Sequence, residues 1–188
     1  MFYLSLSKIR PFAMCSKGPE IIRYFEARFD EEAVLPLQIV LDVWGETHAV
    51  FCLRAVEGGP EFALTYATDC VDRVRDIFNT EFVDNPLFDE CLQTVLERES
   101  GSSMKEAGHN IESFCLSNTS AERDKAIKAG LSASKLSYAA YTLSQPHASV
   151  DFSLGAVEDA CQAAKNPVLE NCWQEIHFKE LLLSHRDE

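Results

Sequence analysis

The sequence lacks the short motifs that mark common enzyme classes. It contains no G-x-S-x-G, no G-x-G-x-x-G, no Walker-type phosphate loop and no H-E-x-x-H. Those patterns place a nucleophile, a nucleotide phosphate or a zinc ion. The residues therefore give no support for a serine hydrolase, a nucleotide-binding enzyme or a zinc protease of those types. We predict a protein that is not an enzyme and holds no cofactor.

Basic residues are scarce relative to acidic ones. The chain has 17 lysines and arginines against 30 aspartates and glutamates, a net charge of −13. Nucleic acids and anionic membranes attract positively charged proteins, so both are disfavoured as partners. Two interpretations of the acidic excess remain. It either keeps the protein soluble or steers a basic protein partner toward it.

Long apolar runs are also missing, since none approaches the ~18–20 residues that span a bilayer. Near the N-terminus, Lys8 and Arg10 interrupt a short apolar stretch, which is unlike a signal peptide. We therefore expect a cytoplasmic protein with reduced thiols, most of them buried as small apolar groups. No pair of cysteines has C-x-x-C spacing; the seven are Cys15, Cys52, Cys70, Cys91, Cys115, Cys161 and Cys172.

Strand-like alternation of apolar and polar residues is rare, and helix signals are frequent. Most of the seven prolines stand where a helix begins, as in Gly18-Pro19, Gly58-Gly59-Pro60 and Asn166-Pro167. Apolar residues between them recur three and four positions apart, which predicts helices with one buried face. We expect an all-α fold with about eight helices in one domain, 1–188. One helix would bury Phe62, Tyr66, Cys70, Val74, Ile77 and Phe78; the last would bury Val168, Leu169, Trp173, Ile176, Leu181 and Leu182.

Two features bear on internal organisation. The polar segment Glu97–Lys105 predicts a loop and hinge, which would separate stacked lobes 18–100 and 102–188. Segments 85–93 (NPLFDECLQ) and 166–174 (NPVLENCWQ) share Asn, Pro, Cys and Gln. They are either a duplicated helical unit or two well-formed helix starts. Similarity fades after both segments, which favours the second interpretation.

A metal-binding helical bundle is one functional hypothesis. His48 and Cys52 lie four residues apart and would share a helix face, and His109 follows Glu106 in an E-x-x-H pattern. Di-iron bundles use that pattern twice with two further glutamates, whereas it occurs once here. Ordinary polar residues on helix surfaces are the simpler interpretation.

An acidic cluster is the candidate contact surface for a partner. Asp69, Asp72 and Asp76 follow one another at helical spacing, with Arg73 and Arg75 between them. Some of these carboxylates are therefore expected to pair along the helix. The remainder would face a basic partner.

One stretch resembles a known family. It begins with Tyr66–Val74 (YATDCVDRV), followed by Ile77-Phe78 and Asp84-Asn85-Pro86, and continues through the alanine-spaced segments Ala129–Tyr141 and Ala156–Ala164. Over about Leu41–Ala164 the chain is similar to alanine-rich helical immunity proteins of bacterial polymorphic toxin systems. The resemblance implies a protein that neutralises a toxin by contact, without chemistry of its own.

A helical scaffold or oligomer is the third hypothesis, and the sequence does not determine the oligomeric state.

Overall fold

Helices form almost all of the regular structure in the computed structural model, which describes residues 2–14 and 17–185. The described residues contain eleven α-helices, two short 3₁₀ turns (Arg10–Phe12 and Leu53–Ala55) and two three-residue strands. The order is β1 Tyr3–Ser5, α1 Leu6–Ile9, α2 Gly18–Arg28, β2 Val34–Pro36, α3 Gln38–Trp44, α4 Glu46–Cys52, α5 Gly59–Asp72, α6 Arg75–Glu81, α7 Leu87–Leu96, α8 Gly101–Ser117, α9 Asp124–Tyr141, α10 Pro146–Ala163 and α11 Pro167–Ser184. The all-α prediction is confirmed.

The predicted count of about eight helices is wrong, because some predicted elements are divided. The helix expected over 62–78 breaks after Asp72, where Val74 leaves the helical conformation at φ −102° and ψ 2°. The turn still directs Val74 and Phe78 into the core. At the N-terminal end, α1 and the antiparallel pair β1–β2 were not predicted, because elements of three or four residues are too short to show a period.

The helix α9 lies at the centre of the fold and contacts α5, α6, α7, α8 and α10. Small side chains let neighbouring helices approach it closely. A Cβ built on Gly108 of α8, for example, would lie 3.2 Å from the Cβ of Ser137. The fully buried small residues of α9 are Ala129, Ser132, Ala133, Ser137 and Ala139. One continuous apolar cluster runs from Phe2 to Leu182 around it.

The loop predicted over Glu97–Lys105 is shorter in the structure. Helix α8 already begins at Gly101, and the Ser100 hydroxyl accepts a hydrogen bond from the Ser103 N–H at 3.3 Å as its N-cap. Such a cap satisfies a backbone donor that the first helical turn leaves unpaired. The proposed division into lobes 18–100 and 102–188 stays a prediction.

The last helix, α11, is oriented differently from expectation. It contacts α4, α5 and α10, and the four residues it buries are Glu170, Gln174, Phe178 and Leu182. Of the predicted stripe, Val168, Leu169 and Ile176 are exposed, so that part of the prediction is wrong. The reason lies in the polar contacts of α11 with α5, described below.

Cysteine burial follows the expectation for most of the thiols. Cys52, Cys70, Cys91 and Cys115 are buried, whereas Cys161 is partly buried and Cys172 exposed. Burial raises the pKa of Cys91 to about 11, so this thiol stays protonated near neutral pH. Cys15 lies outside the described residues. Among the described helices, none combines the length and apolar character that a membrane crossing requires.

Candidate functional site

The predicted contact residues lie where α5, α6 and α11 meet. Asp69 and Asp72 are in the last turn of α5, and Asp76 is in the first turn of α6. We call these three residues the acidic edge. The break between α5 and α6 keeps them near one another on the surface, with Asp72 and Asp76 exposed and Asp69 partly buried.

Two members of the acidic edge already have partners. Asp69 Oδ2 lies 2.8 Å from Nε2 of His177 on α11. Asp72 lies 3.6 Å from Arg75, which donates a shorter bond of 2.6 Å to Asp89. Within the part of the chain that the structure describes, the Asp76 carboxylate makes neither a hydrogen bond nor an ion pair. Asp76 is therefore the member best placed to meet an incoming positive charge.

The same surface carries a stack of cationic and aromatic groups. The Arg73 guanidinium lies 3.8 Å from the centre of the Trp173 ring, and the His177 ring stacks on Trp173 at 4.6 Å with an interplanar angle of 14°. Arg73 also donates two hydrogen bonds to the buried Glu170 carboxylate, at 3.0 and 3.1 Å. This bidentate geometry is the strong form of a charge-assisted bond. It explains why Glu170 faces inward and why α11 is rotated away from the predicted orientation.

A groove runs alongside the acidic edge. It consists of two clefts of about 340 and 260 Å³ that share Asp76, Ile77 and Lys165 in their lining. Leu169 adds an apolar wall to the first cleft. In the second, Arg123 pairs with Glu81 at 2.9 Å, and Lys125 donates to the carbonyl groups that end α10. Apolar and charged side chains thus line the groove together, and Lys165 lines both clefts with Asp76.

A second polar centre is buried beneath α11. The Glu46 carboxyl is 7% exposed, and the Tyr66 hydroxyl lies 3.0 Å from Glu46 Oε1 and 3.2 Å from the Gln174 carbonyl oxygen. Burial raises the pKa of Glu46, and nearby Glu158 and Glu175 add to the increase. The Tyr66 hydroxyl is the donor toward both oxygen atoms, and its bond to Glu46 partly offsets the increase in the pKa of that carboxyl. This centre links α4, α5 and α11, and a cleft of about 200 Å³ borders it.

The residues considered for a metal are not brought together. His48 Nε2 lies 3.5 Å from a Glu20 carboxylate oxygen and its ring stacks on Trp44, whereas Cys52 is fully buried. His109 is exposed on α8. Among the described residues, no three histidine, cysteine, aspartate or glutamate side chains converge as metal ligands would.

The sequence did not predict the contacts that join α11 to the end of α5 at this surface. His177 is 108 residues from Asp69, and Glu170 is 97 residues from Arg73. Asp69 lies in the last turn of α5 and Arg73 is the residue that follows this helix, whereas their partners His177 and Glu170 are seven residues apart on α11. The sequence spacing therefore gave no signal of these contacts, which follow only from the packing of α11 against α5.

Comparison with known proteins adds no identification. No protein family, no curated protein and no solved structure matches this chain. An immunity function is therefore a proposal for this chain.

Proposed function

We propose that the protein is a non-enzymatic, cytoplasmic binding protein that inhibits a basic, toxin-like protein by direct contact, as an immunity protein does. The observation that supports this most is the acidic edge. Among the described residues Asp76 is exposed and makes no hydrogen bond or ion pair, and it borders a groove with apolar side chains in its lining, in a chain of net charge −13. The resemblance over Leu41–Ala164 supports the same function.

The physical argument concerns how charge acts at a surface. Exposed carboxylates attract a basic partner over about one Debye length and increase its association rate. Once the partner is in contact, apolar groups such as Ile77 and Leu169 in the groove would be shielded from water. Charge would thus determine the rate and the choice of partner, while apolar contact would determine how long the complex lasts.

Affinity capture from a lysate of the native source tests this function. Wild-type bait is expected to retain one basic protein at low salt and to release it at high salt, because exposed charges are screened. Asp76→Asn bait is expected to retain less of it. The matched control is Glu106→Gln, an exposed charge on α8 outside the acidic edge.

Three results would count against the proposal. These are an empty capture, a captured protein with no basic excess, or equal retention by the wild-type and Asp76→Asn baits. The triple variant Asp69→Asn/Asp72→Asn/Asp76→Asn is a less specific test. Asp69 also contacts His177, so its substitution would disturb the contact between α5 and α11 as well as the surface charge.

A second candidate is self-association as a scaffold, which the exposed apolar residues of α11 favour. The net charge of −13 on every copy opposes it. Light scattering, which gives the mass of the protein in solution, decides between a self-associating scaffold and a monomeric inhibitor. A stable dimer supports the scaffold, and a monomer removes it.

A further inference from the structure

Helix α11 carries a row of exposed apolar residues on the side away from the core, although it also buries Phe178 and Leu182. Leu169 is 66% exposed, Ile176 58% and Leu183 40%, and Cys172 is also exposed. We call Leu169, Cys172, Ile176 and Leu183 the α11 stripe. Two of the four residues that α11 buries, Glu170 and Gln174, are polar. A surface helix usually buries its apolar residues, whereas α11 buries two polar and two apolar residues and leaves an apolar strip facing solvent.

Helix α7 shows what such a stripe looks like when it is covered. The segments that open α7 and α11 share the N-P-x-x-x-x-C-x-Q pattern. In α7 the buried residues are Phe88, Cys91, Leu92 and Val95, and α7 packs against α8 and α9. The equivalent residues of α11 are Leu169, Cys172, Trp173 and Ile176. The positions that face α8 and α9 in α7 are thus exposed in α11 at Leu169, Cys172 and Ile176, and Trp173 is partly buried.

The outward orientation of the stripe is fixed by contacts on the other side of α11. Arg73 binds Glu170 with two hydrogen bonds, His177 binds Asp69, and the Tyr66 hydroxyl contacts the Gln174 carbonyl. Rotating α11 to bury its stripe would break these bonds and leave polar groups without partners. The stripe is thus available to another molecule rather than to this chain.

The spacing of the stripe suits a helical partner. Leu169, Ile176 and Leu183 are seven residues apart, and Cys172 lies three after the first of them. This is the spacing of a coiled-coil seam, in which one helix packs its side chains between those of another. Lys179, seven residues after Cys172, occupies the next seam position and is the one charged residue in it.

The charges beside the stripe favour a basic partner. Glu175 and Glu180 are exposed and lie next to Ile176, one immediately before it and one a helical turn after it. Asp69 borders α11 on the side of His177. Lys179 is the one basic residue between Ile176 and Leu183. A second copy of this chain would bring the same acidic charges face to face.

We infer that the α11 stripe is the docking surface for an amphipathic helix of the partner, one with basic residues flanking an apolar seam. This inference rests on the proposed function and extends it, because it names the element of the partner that is bound. The acidic edge would steer the partner, and the stripe would hold its helix.

A designed peptide tests the inference without the natural partner. The probe is a fluorescent helical peptide of about three heptads, with leucine in the seam and lysine at the flanking positions. It is expected to bind the full-length protein in fluorescence anisotropy at physiological salt. The same peptide with glutamate in place of lysine is expected not to bind. Leu169→Ser/Ile176→Ser should raise the Kd of the lysine peptide about tenfold or more.

The control is Leu116→Ser, an apolar residue of α8 that is 65% exposed. It should leave the Kd unchanged. Equal binding to wild type and to Leu169→Ser/Ile176→Ser, or no binding to wild type, overturns the inference. So does a wild-type dimer that Leu169→Ser/Ile176→Ser dissociates, because the stripe would then bind a second copy.

Different results would contradict the inhibitor function and the docking surface on α11. If the lysine peptide binds through the stripe but lysate capture is empty, the docking surface stands and the inhibitor function falls. If capture succeeds and depends on Asp76 but is unchanged by Ile176→Ser, the function stands and the docking surface falls.

Discussion

Glu46 is a single carboxyl group enclosed by α4, α5 and α11, with Tyr66 and Thr47 as its hydrogen-bond partners. Its pKa is raised above the ordinary value of 4.5, mainly by burial. Below 4.5 the group is protonated in both the folded and the unfolded protein. As pH rises, the unfolded chain ionises first, so the stability contributed by this group is lost as pH rises from 4.5 through the folded pKa.

Glu46→Gln should remove this pH dependence. Glutamine keeps a hydrogen-bonding side chain of similar size and does not titrate. The stability of the variant relative to wild type should therefore rise with pH, by about 1.4 kcal/mol for each unit by which the folded pKa is raised. Urea unfolding at about pH 4 and about pH 8 measures the difference in free energy of unfolding between the variant and wild type. The control is Glu106→Gln, an exposed glutamate on α8; a pH-independent difference for Glu46→Gln contradicts the prediction.

The Arg73–Glu170 pair provides a second test on single residues. The Glu170 side chain is 8% exposed and that of Arg73 is 43% exposed. Arg73→Met leaves a buried carboxylate without its guanidinium and should lower the free energy of unfolding by about 2 kcal/mol, less than for a fully buried pair. Arg73→Met/Glu170→Leu should recover most of that loss, because no charge remains buried. A double variant less stable than Arg73→Met would show that the pair itself stabilises the fold.

At the scale of whole elements, the sequence indicated where helices begin better than how they face one another. Proline and asparagine located the starts of α2, α5, α7 and α11, because proline at a first turn and a capping side chain act locally. Asn166, for example, accepts a hydrogen bond from the Leu169 N–H. The rotation of α11 could not be predicted, since it depends on Arg73 and Asp69, far away in the chain. Its outward apolar face was missed for the same reason.

Two glycines in neighbouring helices should respond oppositely to the same substitution. A Cβ on Gly130 of α9 would overlap Cys115 Sγ and lie 2.9 Å from the Phe78 ring, whereas on Gly155 of α10 it would meet the flexible Lys135 side chain at 3.1 Å. Gly130→Ala should destabilise by about 2 kcal/mol through overpacking. Gly155→Ala should be neutral or stabilise by up to about 1 kcal/mol through helix propensity. Thermal unfolding compares them; a stabilising Gly130→Ala would contradict the packing of α9.

For the molecule as a whole, the acidic excess and the arrangement of α5, α6 and α11 act together. The net charge of −13 was evident from composition, but which carboxylates remain unpaired was not. Of the acidic edge, Asp69 and Asp72 have partners in the fold, and Asp76 stays open beside the groove. We therefore propose that a small part of a broadly acidic surface, next to an apolar helix face, determines the choice of partner.

The most direct test of this account is the association rate constant of the captured partner, measured from about 50 to about 500 mM salt. The account predicts a fall of about tenfold or more, because opposite charges accelerate the encounter at low ionic strength. Asp76→Asn should show a lower rate at low salt and a shallower dependence. A rate constant that does not change with salt would contradict electrostatic steering by the acidic edge, and with it the proposal of a basic partner.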